Sequence, residues 1–389
     1  MRPGGLRCCL APRRDSERDD GSWVTNEIKR TAFDRRQQSL GVVQHLDREG
    51  WYWPKHFGDP VAEHHAIRND VGVWDVSPLR KLALSGPDVV KAVDRIFTND
   101  VQRLEIGQVR YTPFCDANGK LVGECTVLRM ALDRCMAVTA LDSDLDHFKT
   151  VVDGLSVEIE PMTRSIPQLG ISGPRSRELL QSLTDVDVAG LRYFRFWPEQ
   201  VKVGGVPCWV SRTGYSGELG YELFCSPEGA EQLWDAVVGA GARPYGLAAV
   251  ETIRIESGLI FIGRDYFQHE TSPYDVGLDK LVRLDKAEFQ GRKALAAEAV
   301  SPPNRFVTLV VDGPVPDYGA AVTKNGERVG TVTSPCASPT LGKVIGLTVL
   351  SADVARDGET VEVAVEDGSA PATVAPTPIY DTEKKRARA

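Results

Sequence analysis

The stretch Ser211-Arg-Thr-Gly-Tyr-Ser-Gly-Glu-Leu-Gly-Tyr-Glu-Leu-Phe224 decides how this chain is read. Gly214, Gly217 and Gly220 fall close together in it. Glycine at that density permits positive φ and a tight reversal of the chain. The flanks, Pro207-Cys-Trp-Val-Ser-Arg212 and Tyr221 to Cys225, predict two strands of a hairpin. Glu222 then lies inside an otherwise apolar strand. A carboxylate is costly to bury there without partners. An internal Arg or Lys would satisfy it. So would a ligand that presents two parallel N–H donors.

Away from the hairpin, the pattern alternates between helix and strand. Residues 26–75 read as a helical entry segment with an aromatic knot at Trp51-Tyr-Trp-Pro54 and Phe57. Leu82 to Leu84 reads as a strand. Pro87 to Phe97 is an amphipathic helix, with Pro87 in its first turn and Val89, Val93 and Ile96 on one face. Asn99 fits a helix end that tolerates left-handed geometry. Strands follow at Arg110 to Cys115 and Leu121 to Met130, joined by an Asn118-Gly119 turn. Helices are expected at Arg175 to Leu183, Glu228 to Val238 and Gly246 to Ser257. After a Pro302-Pro303 linker the character changes. Short alternating runs at Phe306 to Val311, Arg328 to Thr333, Val344 to Leu350 and Thr360 to Val365 are separated by Asn325-Gly326, Asp357-Gly358 and Asp367-Gly368. That is the pattern of a small antiparallel barrel.

Composition narrows the function classes. The 389 residues are 42% apolar and 26% charged, enough for two or three soluble domains. A net charge of −8 argues against a nucleic-acid surface. No apolar run is long enough to span a membrane. Residues 1–25 read as a disordered tail without the apolar core of a secretory signal. The eight cysteines form no C-x-x-C pair and have irregular spacing. Reduced, mostly buried thiols in a cytoplasmic protein are expected, with no metal site.

The hairpin also resembles that of the glycine-cleavage T-protein (aminomethyltransferase) family, which includes tetrahydrofolate-dependent demethylases. Other segments resemble the same family in the same order. They are Ala62-Glu-His-His-Ala-Ile-Arg-Asn-Asp-Val-Gly-Val-Trp-Asp-Val-Ser77, Leu84-Ser-Gly-Pro-Asp88 with Thr98-Asn-Asp100, Ile253-Arg-Ile-Glu-Ser-Gly-Leu259, Ile262-Gly-Arg-Asp265, and Gly330-Thr-Val-Thr-Ser334 with Ser338-Pro-Thr-Leu-Gly-Lys343. The resemblance implies an α+β, three-domain cloverleaf with a C-terminal antiparallel β-barrel and folate in a central channel. It divides the chain into a folate-binding domain of residues 26–75 plus 150–258, a second domain of 76–149 plus 259–298, and a barrel of 303–389.

The same resemblance implies the site. Asp100 corresponds to the family's carboxylate beside the reactive nitrogens of tetrahydrofolate, and is the catalytic candidate. A positioned carboxylate can manage a proton and stabilise developing positive charge; on its own, an Asn-Asp pair also suits a plain turn. Glu222 corresponds to the pterin-binding glutamate. Tyr215 corresponds to a pocket tyrosine, though a packed hairpin residue fits equally. Tyr380 is what remains of a C-terminal tyrosine pair and is a third folate-contact candidate. Val250 stands where the family has a folate-contacting Arg, while Arg254 fits a second Arg that pairs within the fold. Tyr193-Phe-Arg-Phe-Trp197 and Tyr266-Phe-Gln-His269 suit either core packing or the walls of a small-donor pocket.

The expected activity is one-carbon transfer, methyl or aminomethyl-derived, from a small methylated or aminomethylated donor to tetrahydrofolate. A lipoyl carrier protein is the partner if the aminomethyl route holds. A folate-binding, non-catalytic or iron–sulfur assembly protein on the same fold is the alternative. Its K-G-C-Y-x-G-Q mark is absent, because Glu288-Phe-Gln-Gly-Arg-Lys-Ala294 carries no Cys.

Overall fold

The computed structural model describes residues 28–389. The expected tail of residues 1–25, with Cys8 and Cys9, lies outside them. Two sheets and a barrel organise the chain. The first sheet runs Val201–Val203, Val206–Ser211, Gly220–Phe224, Gln168–Ser172, Gly72–Asp75, Arg243–Pro244. The second runs Val109–Cys115, Leu121–Ala131, Arg134–Thr139, Arg80–Ser85, Glu158–Pro161. The barrel closes because Asn304–Val311 pairs with both Lys343–Ser351 and Gly368–Ala375. Closure leaves no free strand edge. The α+β class and the C-terminal antiparallel barrel are therefore present as expected.

The glycine-rich stretch makes the predicted hairpin. Ser211 pairs with Glu222 and Trp209 with Phe224. Gly217 takes φ +73°, the left-handed geometry a reversal needs. A Cβ there would also meet the Ser257 hydroxyl at 2.4 Å. The strand's alternation sends Tyr221 and Leu223 into a core with Leu169, Ile171 and Val210. Glu222 is left on the opposite face.

Three local expectations are corrected. The segment expected to be helical over 26–75 is not so across its described residues, 28–75. Among these only Asp34–Ser39 and Pro60–Asn69 are helical, and Gln44–Arg48 with Trp51–His56 forms a two-stranded ribbon. Gly41 and Gly50 adopt positive φ on either side of the first strand, and the aromatic run favours extended chain. Asn99 is not left-handed. Its side chain instead donates to Tyr111 O at 3.0 Å and accepts from Asp100 N at 2.8 Å. The barrel also contains two strands beyond the alternating runs, Ala321–Lys324 and Gly368–Ala375. One is very short, and the other is rich in Gly, Ser, Ala and Pro.

Helix Leu247–Glu256 packs between the sheets and the barrel and carries two buried ion networks. Arg68 bonds Glu256 at 2.8 Å and Glu218 at 3.0 Å. Arg254 bonds Asp265 at 2.6 Å and Ser334 Oγ at 2.7 Å. Asp265 also accepts from Thr333 at 2.6 Å. The helix is thereby tied to the barrel strand Glu327–Ser338. All six described cysteines are free and buried. Among the described residues, no helix is long and apolar enough to cross a membrane.

Candidate functional site

The first sheet holds a slot at Glu222. In register across it stand Ser211, Glu222, Gly170 and Trp74. Partners in register project to the same face of a sheet. Gly170 contributes no side chain to that row. A Cβ placed on it would meet nothing nearer than Trp74 O at 3.9 Å. Space therefore remains between the Glu222 carboxylate and the Trp74 indole. Gln168 lies one pleat along the same strand face. Its Nε2 donates to Glu222 Oε1 at 2.8 Å, and the Thr213 hydroxyl donates to Oε2. Gln168 Oε1 and Trp74 Nε1 are buried with no partner among the described residues. A buried unpaired acceptor and donor beside a carboxylate suit a flat ligand with its own N–H and C=O groups.

No cation pairs directly with Glu222 among the described residues. Lys81 supplies charge from nearby. Its ammonium is fully buried and donates to Leu79 O at 2.9 Å and Ser77 O at 3.0 Å. Burial pulls its pKa down to about 7. Burial likewise raises the pKa of Glu222, while Thr213, Lys81 and Gln168 oppose that shift.

A second polar cluster lies where the two sheets, the ribbon and the segment after Gly258 meet. Tyr215 packs beside Trp51, Trp53, Trp74 and Tyr245, and its hydroxyl donates to Ile260 O at 2.5 Å. Tyr111 and Glu124 project from one face of the second sheet, where Tyr111 pairs with Thr126 and Pro113 with Glu124. Tyr266 is fully buried, with its hydroxyl 3.5 Å from Glu124 Oε1. Burial, then the nearby Asp144 charge, raises the Glu124 pKa to about 7, while hydrogen bonds from Tyr111 and Tyr266 oppose the rise. Arg48 reaches in from the ribbon, stacked 3.8 Å over the Phe261 ring.

The four sequence candidates have different immediate surroundings. Glu222 and Tyr215 belong to neighbouring parts of the first sheet and its hairpin. Asp100 sits on the other half, joined through Asn99 to the Tyr111 backbone. Among the described residues Arg103 is its one ion-pair partner, at 3.5 Å and largely exposed. Tyr380 is placed elsewhere again. Its hydroxyl donates to Glu218 at 2.7 Å and its ring lies 3.9 Å under the Arg68 guanidinium. It lines a cleft with Tyr193, Thr213 and Gly214, and Thr213 is the residue that bonds Glu222. His269 is exposed and pairs with Asp116 at 2.9 Å, and Phe267 is also exposed. Phe196 is buried between the sheets. Of the suggested aromatic walls, Tyr266 alone reaches the Glu124 cluster.

Two family profiles match most of the described chain. The GCVT N-terminal domain matches residues 33–286, and the glycine cleavage T-protein C-terminal barrel domain matches residues 304–381. The chain belongs to the glycine-cleavage T-protein family. It is 36% identical over 345 residues to the aminomethyltransferase of Geobacillus kaustophilus, covering 86% of this chain and 94% of that one. It is 34% identical over 368 residues to the aminomethyltransferase of Moorella thermoacetica, covering 92% and 100%. The fold superposes on the crystal structure of the glycine cleavage system aminomethyltransferase T from Bartonella henselae. The TM-score is 0.84 at 22% identity, over 91% of this chain and 99% of that one. The cloverleaf architecture expected of the T-protein family is therefore the one observed.

Sequence reasoning missed Gln168, Lys81, Glu124, Tyr111 and Arg48. A signal existed for one of them. Glu124 interrupts an apolar run, as Glu222 does.

Proposed function

We propose that this protein moves a one-carbon unit from a small donor to tetrahydrofolate. The observation that carries the reading is the row of Glu222, Gly170 and Trp74, with Gln168 Oε1 unpaired beside it. A pterin is flat, presents adjacent N–H donors along one edge and carries its own carbonyl. Glu222 would accept from that edge, and Trp74 and Tyr215 would wall the ring. Family membership at 34–36% identity to aminomethyltransferases supports the same substrate. Tetrahydrofolate, when bound, supplies the amine that accepts the one-carbon unit.

The chain's own residues would bind and orient it. Glu222 fixes the pterin, and Lys81 supplies positive charge that favours the ionised carboxylate. Asp100 is assigned to the reacting nitrogens, where it holds a proton and balances positive charge as the unit transfers. Tyr380 is assigned to the cleft that opens next to Thr213.

Calorimetry with tetrahydrofolate tests the site. Wild-type protein is expected to bind it, and Glu222→Ala to bind more weakly by roughly 1.5–3 kcal/mol, the range for hydrogen bonds to a charged group. Unchanged affinity in a folded variant would remove Glu222 from the site. The product then assigns the donor chemistry. Methylene-tetrahydrofolate with ammonia marks aminomethyl transfer from a lipoyl carrier, whereas 5-methyl-tetrahydrofolate marks a methylated donor.

A further inference from the structure

The peptide that joins Asn99 to Asp100 is held at both of its polar atoms. Its N–H, on Asp100, donates to Asn99 Oδ1 at 2.8 Å. Its C=O, on Asn99, accepts from Lys286 Nζ at 3.0 Å. Each grip is itself anchored. Asn99 Nδ2 donates to Tyr111 O at 3.0 Å, which ties it to the strand Val109–Cys115. Lys286 also donates to Phe97 O at 2.6 Å and Asp94 O at 2.8 Å, and its ammonium lies 2.9 Å from the Asp94 carboxylate. The chain just before Lys286 is stitched to the same turn. Arg283 N donates to Thr98 O at 3.0 Å, and the Thr98 hydroxyl donates to Leu281 O at 2.9 Å.

A lysine near a helix end commonly serves the last free carbonyls, and Asp94 O and Phe97 O close the helix Val89–Ile96. Asn99 O is different. It lies past the helix, in the turn that leads to Asp100, where a helix cap does not need to reach. The Lys286 side chain is only 6% exposed, so its ammonium depends on these oxygens for partners. The Asp100 carboxylate is treated in the opposite way. It is 19% exposed, and among the described residues its hydrogen-bond and ion-pair partner is Arg103, through N at 3.4 Å and Nε at 3.5 Å. A pinned backbone under a lightly held carboxylate is the arrangement of a group aimed at something outside the fold. We infer that Lys286 and Asn99 are positioning residues for Asp100. They fix the peptide that carries it, so that its carboxylate is presented in one place. The inference rests on the reading that sets Asp100 at the reacting nitrogens of tetrahydrofolate.

Backbone hydrogen exchange on the unliganded protein tests the grip without turnover. Lys286→Met should speed exchange at residues 97–101 by about 10-fold or more and leave the two sheets as protected as in wild type. A wild-type pattern in that variant would overturn the inference. Single-turnover transfer to tetrahydrofolate from an aminomethylated lipoyl carrier protein then asks whether the grip acts through Asp100. Lys286→Met should slow it about 10-fold or more with tetrahydrofolate still bound, since a small misplacement of a catalytic group costs on that scale. In an Asp100→Asn background the same substitution should change the rate little, because no charge remains to be aimed. Equal fold losses in the two backgrounds would make Lys286 a helix cap alone and overturn the inference. If Lys286→Met does not fold, Asn99→Ala releases the other end of the same peptide and is read by the same two comparisons. A wild-type rate in Asp100→Asn would sink the catalytic reading of Asp100 itself. A slow Asp100→Asn beside a wild-type rate in Lys286→Met would sink only the positioning role. If wild type takes nothing from this donor, the exchange measurement decides.

Discussion

Glu222 and Trp74 stand on one face of the same sheet, each in register with Gly170 between them. The separation follows from strand order, because Gln168–Ser172 lies between their two strands. The missing side chain at Gly170 makes this row a slot rather than a packed layer. Its backbone is ordinary extended chain, so conformation does not require glycine there.

Gly170→Val should therefore fold and should lose folate. Valine suits a strand, and a Cβ has 3.9 Å of clearance. Its two methyl groups would occupy the space assigned to the pterin. Tetrahydrofolate affinity is expected to fall by about 10-fold or more, on the scale of an overpacked contact of ~1–3 kcal/mol. Thermal unfolding should move by only a few degrees. Full folate affinity in calorimetry would show that the ligand does not lie over Gly170.

Arg254→Met should destabilise strongly without touching the slot. Arg254 is fully buried between Asp265 and Ser334, with Glu251 completing the network. Removing one member leaves Asp265 as an uncompensated buried charge, which costs about 3–5 kcal/mol. Early thermal unfolding, with normal folate affinity in the folded fraction, is the expected result. Stability equal to wild type would mean that water reaches Asp265 freely.

Much of this was legible in the sequence, and particular residues explain where legibility ended. The hairpin could be read because glycine spacing and strand alternation are local. Glu222 could be read because a carboxylate in an apolar strand is locally anomalous. The same anomaly marks Glu124 in Leu121–Ala131. What sequence does not reveal is which sheet faces meet, and hence that Glu124 turns towards Tyr266. Arg48 was out of reach for a stronger reason. It lies in a segment expected to be helical, and its partner Ile262 is 214 residues away. The sequence also did not reveal the partner of Tyr380, whose hydroxyl donates to Glu218.

Asp100→Asn should separate binding from chemistry. The substitution keeps the shape and removes the charge. Arg103 is exposed and holds Asp100 only loosely, at 3.5 Å, so little stability should be lost. Turnover is expected to fall by about 10²-fold or more with folate still bound, the usual contribution of a general acid–base group. Single-turnover transfer at the wild-type rate would reduce Asp100 to a turn residue.

Glu124 gives the chain a stability that declines as pH rises towards neutrality. Its carboxyl is raised from 4.5 to about 7 by burial and by the Asp144 charge. Tyr111, Tyr266 and Arg48 face it and oppose that shift. Between these two pH values the folded state holds a proton that the unfolded chain has released. Stability from this group is therefore fully present below about pH 4.5 and is lost as pH approaches 7. Glu124→Gln removes the penalty, because the amide cannot ionise. At pH 8 the variant should be more stable than wild type by roughly 1–3 kcal/mol, discounted for the partial exposure of the side chain. At pH 5 the two should nearly coincide. Denaturant unfolding at both pH values reads the difference directly. A gap that is the same at pH 5 and pH 8 would mean that Glu124 ionises normally.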